Sequence, residues 1–563
     1  MNMIAERTVA RILAFGLAFV AVIVVTGSVT DPVNVTKLFA LGGVAGAAAF
    51  AAGFNGYSRL WKNGKAVITA VLVFVAMGIS AMANSDSPLV QNLYGEYGRN
   101  TGFIAYILLI LVFLSALVLR AEGSFRLLIW GLILAGVVNV IYCLWVVIFG
   151  DFIPWNNPYG NILGTFGNPN FIGAFLGFFA SAMVAFVIKN KFSIYLVITA
   201  GLVFLLAVYE IIDSSAIQGR VVVLAGLAIV GFYLIRSTFS SIVPQLGYIA
   251  LVGVAGTFAL LGALQKGPLS AYIYKTSVSL RGEYWQAGWN MALEKPLTGV
   301  GFDAYGDWYR KVRDAQALIL PGPDTVTNAA HNVPFDVLAS GGWPLFVPYV
   351  FIVILAFIAI VKVTLREKQY NPVFVAMTVA WVGYQLQSII SINQIGLAIW
   401  GWLFSGALIA YEASTRNVDA PVAQEKRRKV PASRSSEQHF SPTLLAGVGL
   451  VIGGLIACPP YTADNKWRNA LSSSSVEQLE AALIPGYLSP ANSNKYASAV
   501  GIFEKSQFPD QAYKYAKIAV EFNPNDFDSW KILYSISKSS PEEKADALAN
   551  MKRLDPLNPA LQG

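Results

Sequence analysis

The sequence predicts an all-α protein: a polytopic membrane bundle of about twelve core helices plus a thirteenth, followed by a soluble helical repeat domain. Of its 563 residues 55% are hydrophobic and only 13% are charged, and the mean hydropathy is +0.56. This composition excludes an ordinary soluble protein. Apolar runs of roughly 20 residues, each long enough to cross a bilayer, recur from residue 8 to residue 459. In the last hundred residues, amphipathic helical periodicity replaces continuous apolarity.

Polar breaks between the apolar runs divide the chain into parts. Residues 1–415 form the predicted membrane domain, in which the large polar loop 266–334 separates the ninth and tenth runs. A linker rich in Pro, Ser and charge covers 416–441, and an additional span covers 442–459. Residues 465–563 form the predicted helical domain.

Lysine and arginine mark alternate loops, which predicts the orientation of the bundle. Arg7 and Arg11 precede the first span, and similar basic residues recur in every second loop. The positive-inside rule therefore places the N-terminus in the cytoplasm. We read the first apolar run as a span and not as a signal peptide, because no A-x-A pattern follows it. The loops expected on the outer side, together with the C-terminal domain, are 83–101, 150–168, 210–220 and 266–334.

We interpret the formal net charge of +8 first as an indicator of membrane topology and only then as an indicator of ligand binding. Its densest tract, Lys426-Arg427-Arg428-Lys429, lies in the linker, where we expect contact with anionic membrane lipids and not with nucleic acid. Cys143 and Cys458 are isolated, so they define neither a disulfide framework nor a metal site.

His331 is the sharpest candidate for chemistry. It is the only histidine of the membrane region and lies where the polar loop enters the tenth span. A lone histidine is more often a hydrogen-bonded structural residue, but imidazole, with an ordinary pKa near 6.5, is also suited to act as a general base. We favour the catalytic interpretation. The other histidine, His439, lies in the linker and has no such context.

Three arginines from separate outward loops form the second candidate group. Arg99, Arg220 and Arg281 each offer a planar fork of donors that matches phosphate oxygens. Interfacial basic side chains can also simply extend toward lipid headgroups, which we expect of Arg310, Lys311 and Arg313. Positive charge on the outward side runs against the topology rule, so Arg220 in particular is a candidate for binding an anion.

A Gly299-Val300-Gly301 turn precedes Tyr305 in the same loop. It is either a weak phosphate-cradle signal or, more ordinarily, a turn before an interfacial helix. No Walker motif, zincin helix, G-x-S-x-G elbow or Cys/His cluster is present in the sequence. The sequence therefore predicts no cofactor and no metal.

The C-terminal domain has a weak internal period. Pro490, Pro524 and Pro556 are separated by 34 and 32 residues, with small residues at packing positions of the helices between them. This period resembles tetratricopeptide repeats, in which stacked helix pairs bury their apolar faces against one another. The alternative is a small helical cap of no particular family. We read Asp526 and Asp528 as residues of a surface turn.

Several residues of the polar segment together resemble the O-antigen ligase and polymerase superfamily. The resemblance is carried by Arg281, Trp285, Pro296, the Gly299-x-Gly301 turn, His331-Asn332 and Gly342. The family signature is H-[NSQ]-x9-G-x2-[GTY]. Asn332 and Gly342 fit this signature, whereas Leu345 stands where Gly, Thr or Tyr is expected.

The resemblance implies a metal-independent glycosyltransferase of the bacterial plasma membrane that uses an undecaprenyl-diphosphate-linked glycan at the outer face. His331 would activate the acceptor hydroxyl. Arg220 and Arg281 would hold the diphosphate, with Arg99 a further donor-binding residue. The supporting residues would be Asn332, Gly299, Gly301 and Tyr305.

Alternatives within this chemistry stay open at the sequence level. The acceptor can be a glycan, a lipid or a protein, so a ligase, a polymerase of polysaccharide repeat units and a protein O-oligosaccharyltransferase all fit. A solute transporter fits less well, because ionisable residues concentrate at one face and not near the bilayer midplane. A scaffold would leave the Arg and His residues without purpose. Residues 465–563 are also expected to offer a surface for an envelope protein partner.

Overall fold

The computed structural model describes residues 3–155, 157–416, 441–473 and 475–562, whose regular secondary structure is helical. No strand occurs among them; the one β-type pairing is an isolated bridge between Gly486 and Ser489. The expected all-α, polytopic fold is confirmed. The basic tract 426–429 and His439 lie outside the described residues.

Ten helices of the described chain are long and apolar enough to cross a membrane, and an eleventh is added if the bent pair Pro442–Ala457 and Pro459–Ser473 is one span. The ten run over Asn34–Gly53, Lys65–Ala83, Glu122–Phe149, Pro169–Val187, Ile194–Asp213, Ile217–Thr238, Val243–Ala263, Val333–Arg366, Pro372–Ile390 and Ile395–Thr415.

Three of the thirteen expected spans fall short of this length, each for a visible reason. The first apolar run is divided into Met3–Arg11, a π-helical turn at Ile12–Gly16, and Leu17–Val22. The fourth, Phe103–Leu117, has only 15 residues. The thirteenth is bent by 55° after Ala457, where two consecutive prolines begin the next helix.

The helices differ in how deeply they are buried in the bundle. The apolar segments of Pro169–Val187 and Ile395–Thr415 are 83% and 94% buried, so these two helices form the centre of the bundle. Val243–Ala263 has only 6% buried, so its side chains face outward from the protein. An apolar helix with so little protein contact is expected to be covered by lipid.

The loops predicted to share the outer side do meet at one end of the bundle. Asn161 Nδ2 donates to the Asp213 carbonyl at 3.0 Å, and Lys275 Nζ donates to the Ser215 carbonyl at 2.9 Å. Arg99 donates to the 266–334 loop. At the other end, basic residues join different loops, as Arg236 does by donating to the Thr364 carbonyl. Which end faces the cytoplasm stays a prediction.

The helix Pro442–Ala457 packs on Asn34–Asn63 through glycines on both sides. A Cβ atom at Gly46 would collide with the carbonyl oxygen of Gly449, and one at Gly453 would collide with that of Gly42. Because these four positions lack side chains, the two backbones come into direct contact. Small residues at such spacing are the usual basis of close helix packing in membranes.

After this helix the chain forms a helical domain with its own apolar core, which includes Trp467, Phe503 and Leu533. Its helices are Pro459–Ser473, Val476–Leu483, Ser493–Lys505, Pro509–Phe522, Phe527–Ser535 and Pro541–Leu554. Consecutive helices pack as pairs, such as Ser493–Lys505 on Pro509–Phe522. Assignment to the tetratricopeptide family stays a prediction.

A buried ion cluster fixes the C-terminal domain to the polar loop of the membrane domain. The Asp555 carboxylate accepts from Arg313 Nη2 at 2.7 Å and from Arg310 Nη1 at 3.1 Å, and the side chains of Asp555 and Arg313 are fully buried. The Arg310 guanidinium also lies 4.2 Å from the centre of the Phe527 ring. The expectation that Arg310 and Arg313 extend to lipid headgroups is therefore wrong.

A second junction is centred on Asp464, near the start of the same domain. One of its carboxylate oxygens accepts from the backbone amides of Thr30 and Asp31, both at 2.8 Å. The other accepts from the Tyr97 hydroxyl at 2.9 Å and lies 3.8 Å from Lys495 Nζ. The C-terminal domain therefore contacts both the start of the chain and the loop that carries Arg99.

Removing the buried carboxylate at Asp555 should be strongly destabilising, because two guanidiniums would then be buried without a counterion. We expect Asp555→Ala to cost about 3–5 kcal/mol of folding free energy, seen as a large drop in the apparent Tm of the purified protein in detergent. The exposed pair Lys311–Glu294, at 2.9 Å, is the control. Glu294→Ala should change stability by about 1 kcal/mol or less. Equal effects of the two variants would show that the Asp555 cluster does not stabilise the junction.

Candidate functional site

His331 is held by the segment that leads into the helix Val333–Arg366. The Asn332 side chain caps this helix by accepting from Phe335 N at 3.1 Å, and Asp336 Oδ1 accepts from Ala330 N at 2.7 Å. His331 itself has φ 55°, the left-handed conformation that non-glycine residues rarely adopt. Bonds on both sides of the residue therefore hold a strained backbone in place.

The surroundings of the His331 ring define its protonation. Nδ1 lies 3.3 Å from the Ala329 carbonyl oxygen, which can only accept, so Nδ1 carries the proton in this contact. Nε2 is then the unprotonated nitrogen. The Tyr284 ring lies against the imidazole, with 5.2 Å between ring centroids. Burial lowers the pKa of His331 to about 4, and the charges of Arg99 and Arg281 add to this effect. The ring is therefore neutral at pH 7.

Arg281 and Tyr284 lie one turn apart on the helix Thr276–Glu294, so both approach the segment of His331. Four residues after Arg281, Trp285 stacks on Phe335 with 6.0 Å between centroids. The Nε of Arg281 is buried and has no hydrogen-bond partner among the described residues. Burial lowers the pKa of Arg281, although a guanidinium stays charged at any ordinary pH.

Arg99 reaches the same region from the other side. Its Nη1 donates to the carbonyl and side-chain oxygens of Asn328, at 2.6 and 2.9 Å, three residues before His331. The loop of Arg99 is shaped by Asp303, whose carboxylate accepts from the backbone amides of Glu96 and Thr101, each at 3.1 Å. As in Arg281, the buried Nε of Arg99 lacks a partner within the described chain.

The structure does not bring Arg220 to His331. Arg220 is exposed in the first turn of the helix Ile217–Thr238, and its Nη2 donates to the Ile212 carbonyl at 3.4 Å. It is not among the described residues that line the cavity beside His331. Lys275, just before the helix that carries Arg281, donates to Ser215 and so links that helix to the loop before Arg220. The positive charge of Arg220 on the expected outer side predicted an anion site. The distribution of charge between the two sides of a membrane, however, says nothing about the distance from Arg220 to His331.

The Gly299–Gly301 turn has a structural role in the fold. The helix Val333–Arg366 breaks at Gly342, where φ is 63°, and the carbonyls of Ala339 and Ser340 accept from the amides of Val300 and Gly301 at 2.9 and 3.0 Å. Gly299 and Gly301 also have positive φ, and a Cβ at either would collide with neighbouring atoms. The turn therefore satisfies the carbonyls freed by the break.

Tyr305 also supports this region, because its hydroxyl donates to the Tyr284 carbonyl. It is packed in a small core with Tyr284, Ala330 and Tyr309 behind His331. Burial raises the pKa of Tyr305 well above its ordinary value, so the hydroxyl stays protonated and remains a donor. Tyr305 therefore helps to fix the backbone of Tyr284, whose ring contacts His331.

A cavity of about 420 Å³ opens beside His331, between the two domains. Its membrane-domain wall includes Glu96, Tyr284 and His331, and its other wall is formed by the C-terminal domain. Burial, together with the nearby Asp307 carboxylate, raises the pKa of Glu96 to about 8. A second cavity of about 410 Å³ is lined by Arg99 and by residues of the 150–168 loop.

Within the described ranges, no group of three or more His, Cys, Asp or Glu side chains has an arrangement that could hold a metal ion. Buried Cys143 and Cys458 are both free thiols. The absence of a metal or cofactor from the reaction stays a prediction.

Residues 176–350 match the family model described as O-Antigen ligase. The match supports the O-antigen ligase and polymerase superfamily. Glycosyl transfer of that general type is therefore supported for this membrane protein, whereas ligase and polymerase are not distinguished. The matched region contains Arg220, Arg281 and His331 but neither Arg99 nor the C-terminal domain. No curated protein matches the chain.

Sequence reasoning missed several residues of the candidate site around His331. Tyr284 follows Arg281 by three residues, so helical spacing is a signal that could have found it. Glu96 lies in the same polar stretch as Arg99. Asp303 and Asn328 carried no such signal, because their partners lie more than 200 residues away along the chain.

Replacement of Gly342 by alanine should disrupt the helix break. The alanine would have to adopt a positive φ, and its Cβ would collide with the Pro296 carbonyl oxygen. We expect Gly342→Ala to cost about 2–4 kcal/mol, measured as a lower apparent Tm in detergent. Gly447→Ala is the control, because a Cβ there meets no atom within 4 Å. A Gly342→Ala protein as stable as this control would show that the break does not require a glycine.

The pKa of His331 can be measured directly, because the chain contains only two histidines. In a His439→Gln background, the ring-labelled protein should show an NMR titration midpoint near 4 and not near 6.5. Because the folded pKa is the lower one, stability should fall as the pH drops from 6.5 toward 4.

Arg281→Ala should raise the midpoint of the His331 titration by removing a neighbouring positive charge. Arg220→Ala is the matched control and should leave it unchanged. A midpoint at 6.5, or equal shifts in the two variants, would show that His331 is not in the environment described.

Proposed function

We propose that the protein transfers a glycan from an undecaprenyl-diphosphate-linked donor to an acceptor hydroxyl at the outer face of the bacterial plasma membrane. One observation carries this proposal: a neutral His331 borders a cavity. Its pKa is lowered by burial and also by Arg99 and Arg281, whose buried Nε atoms have no partner within the described chain. The family match over residues 176–350 supports glycosyl transfer in general.

In the proposed reaction, His331 Nε2 removes the proton of the acceptor hydroxyl as the oxygen attacks the anomeric carbon of the donor. The bond between that carbon and the diphosphate oxygen breaks, and undecaprenyl diphosphate leaves with the electron pair. Arg281 and Arg99 stabilise the negative charge that develops on this leaving group. The proton then passes from the imidazolium to solvent or to the released diphosphate.

The low pKa of His331 has a direct consequence for this reaction. An imidazole with a pKa of about 4 is unprotonated but is a weak base. A diphosphate bound between the arginines would add negative charge close to the ring, which raises the pKa of the imidazole. The donor would therefore both supply the glycan and strengthen the base, so proton transfer would be favoured only when the donor is present.

Arg220 enters this proposal as a donor-binding residue at the periphery. Its side chain is exposed, so water and salt weaken its interaction with any anion. The contribution of Arg220 to donor binding should therefore be smaller than that of Arg281, and it should decrease as the salt concentration rises.

Substitution of the proposed residues in cells of the source organism tests this function. We expect His331→Ala and Arg281→Ala to lower surface glycan attachment at least about 100-fold, because a base or a charge-stabilising donor is lost. Arg220→Ala should cost about tenfold or less. Exposed Arg468→Ala, in the C-terminal domain, is the matched control and should leave attachment unchanged.

Equal membrane levels of all four variants establish that insertion is intact. Full glycan attachment in both His331→Ala and Arg281→Ala would overturn the proposal. The length distribution of the glycan separates the two closest reactions: loss of the ladder indicates a polymerase, and loss of all attached glycan indicates a ligase.

A further inference from the structure

The cavity beside His331 is a composite of two domains that are far apart in the sequence. On one side it is lined by Glu96, Tyr284 and His331. On the other side it is lined by the start of the helix Ser493–Lys505, by Phe522 and by Asp528. Its volume of about 420 Å³ is within the range of sites that bind small ligands.

One buried hydroxyl group in this cavity has no partner in the described part of the chain. The Ser493 hydroxyl oxygen is buried without a hydrogen bond. The Glu96 carboxyl is half-buried and lies near Arg99 and Asp307, and its backbone amide donates to Asp303. Asp307, which also lines the cavity, differs because it accepts from Ser87, Gln91 and Asn523. Buried polar groups without partners are usually completed by a ligand or by water.

Charge is distributed unevenly around His331. Arg99 and Arg281 act on the ring, yet neither lines this cavity. The cavity is lined instead by carboxyl groups, including Glu96 and Asp528. Lys495 also lines the cavity, but its Nζ lies 3.8 Å from the Asp464 carboxylate and is paired with it. A phosphate is therefore attracted to the arginine side, and the exposed Asp528 disfavours it on the carboxyl side. Glu96, with a pKa of about 8, carries a proton at pH 7 and contributes hydrogen bonding more than charge.

We propose that the C-terminal helical domain forms the acceptor half of the active site, and that the acceptor group bound there is a polyhydroxyl glycan unit without negative charge. Hydroxyl groups of such a unit would donate to Glu96 and Asp528 and bond with Ser493. This inference rests on the proposed function, since it takes His331 as the base. It identifies the C-terminal domain as a substrate-binding element, in addition to any role in recruiting a partner.

The position of the C-terminal wall is fixed by contacts that do not involve the side chains of Asp528 or Ser493. Asn523 Nδ2 donates to Asp307 at 3.2 Å, and Asn525 Nδ2 donates to the Asp86 carbonyl at 3.1 Å. These bonds hold the start of the helix Phe527–Ser535 against the membrane domain, so Asp528 is presented to the cavity without contributing to the attachment. Substitution of Asp528 therefore changes the wall but not the junction.

The test uses full-length protein, with two extracts from source cells that lack the protein: lipid-linked glycan as donor and envelope material as acceptor. Each extract is titrated at a fixed amount of the other, and inorganic pyrophosphate is used as an inhibitor that mimics the donor diphosphate. The variants are Asp528→Lys and Ser493→Ala. Glu542→Lys is the matched control, because Glu542 is also an exposed acidic residue at the second position of a helix and does not line the cavity.

We expect Asp528→Lys and Ser493→Ala to raise the half-saturating amount of acceptor about three- to tenfold, as expected for loss of a hydrogen bond or a favourable charge. The half-saturating amount of donor and the inhibition by pyrophosphate should not change. Arg281→Ala should show the opposite pattern, with weaker pyrophosphate inhibition. Glu542→Lys should behave like the unmodified protein in every titration.

Two results would overturn the inference while leaving the proposed function intact. In the first, Asp528→Lys and Ser493→Ala have the same half-saturating amount of acceptor as Glu542→Lys, while His331→Ala remains inactive. The other is tighter acceptor binding by Asp528→Lys, which would indicate an anionic acceptor. Full transfer by both His331→Ala and Arg281→Ala would instead overturn the proposed function, and this inference with it.

Discussion

The break at Gly342 is the constraint on which the arrangement of the candidate site depends. A helix that ends in the middle of an apolar run must satisfy the carbonyls it frees, since no water is available there. The turn at Gly299–Gly301 satisfies two of them, which fixes the following residue pair Phe302 and Asp303. Asp303 then orders the loop of Arg99, and the short helical segment before the break begins at Val333, directly after His331 and the capping residue Asn332. One backbone interaction therefore positions groups from three separate segments.

The electrostatics of the site follow from this arrangement. Two guanidiniums and a histidine share a partly buried region, so protonation of His331 is disfavoured both by lost hydration and by like charge. The carboxyl groups of Glu96 and Asp336 lie near Arg99, whereas the buried Nε atoms of Arg99 and Arg281 have no partner among the described residues. In the proposed reaction the arginine side would bind the diphosphate, and the carboxyl-lined cavity would bind the uncharged acceptor. Two substrates of different charge can thus be separated without moving parts.

The sequence was sufficient to predict the all-α membrane fold and the proximity of Arg281 to His331, because apolar length and the spacing of a polar loop are local properties. It could not predict that Arg310 and Arg313 pair with Asp555, which lies more than 240 residues later. Arg220 illustrates a different limit. Its charge marked it as unusual for its side of the membrane, but distance to His331 depends on how helices pack, and no local pattern encodes that.

The C-terminal domain changes how a deletion should be interpreted. Deletion of a domain that only recruits partners should spare the chemistry, whereas deletion of one that forms a wall of the site should abolish it. Because Asp528 and Ser493 line the same cavity as His331, equal loss of function in a deletion and in His331→Ala is expected of an enzyme and does not favour a scaffold. Attachment through Asp464 and Asp555 explains why this wall is held in place: an acceptor hydroxyl must be held within hydrogen-bond distance of the imidazole. Under the proposed function, rigid attachment of the wall would therefore serve the chemistry as well as stability.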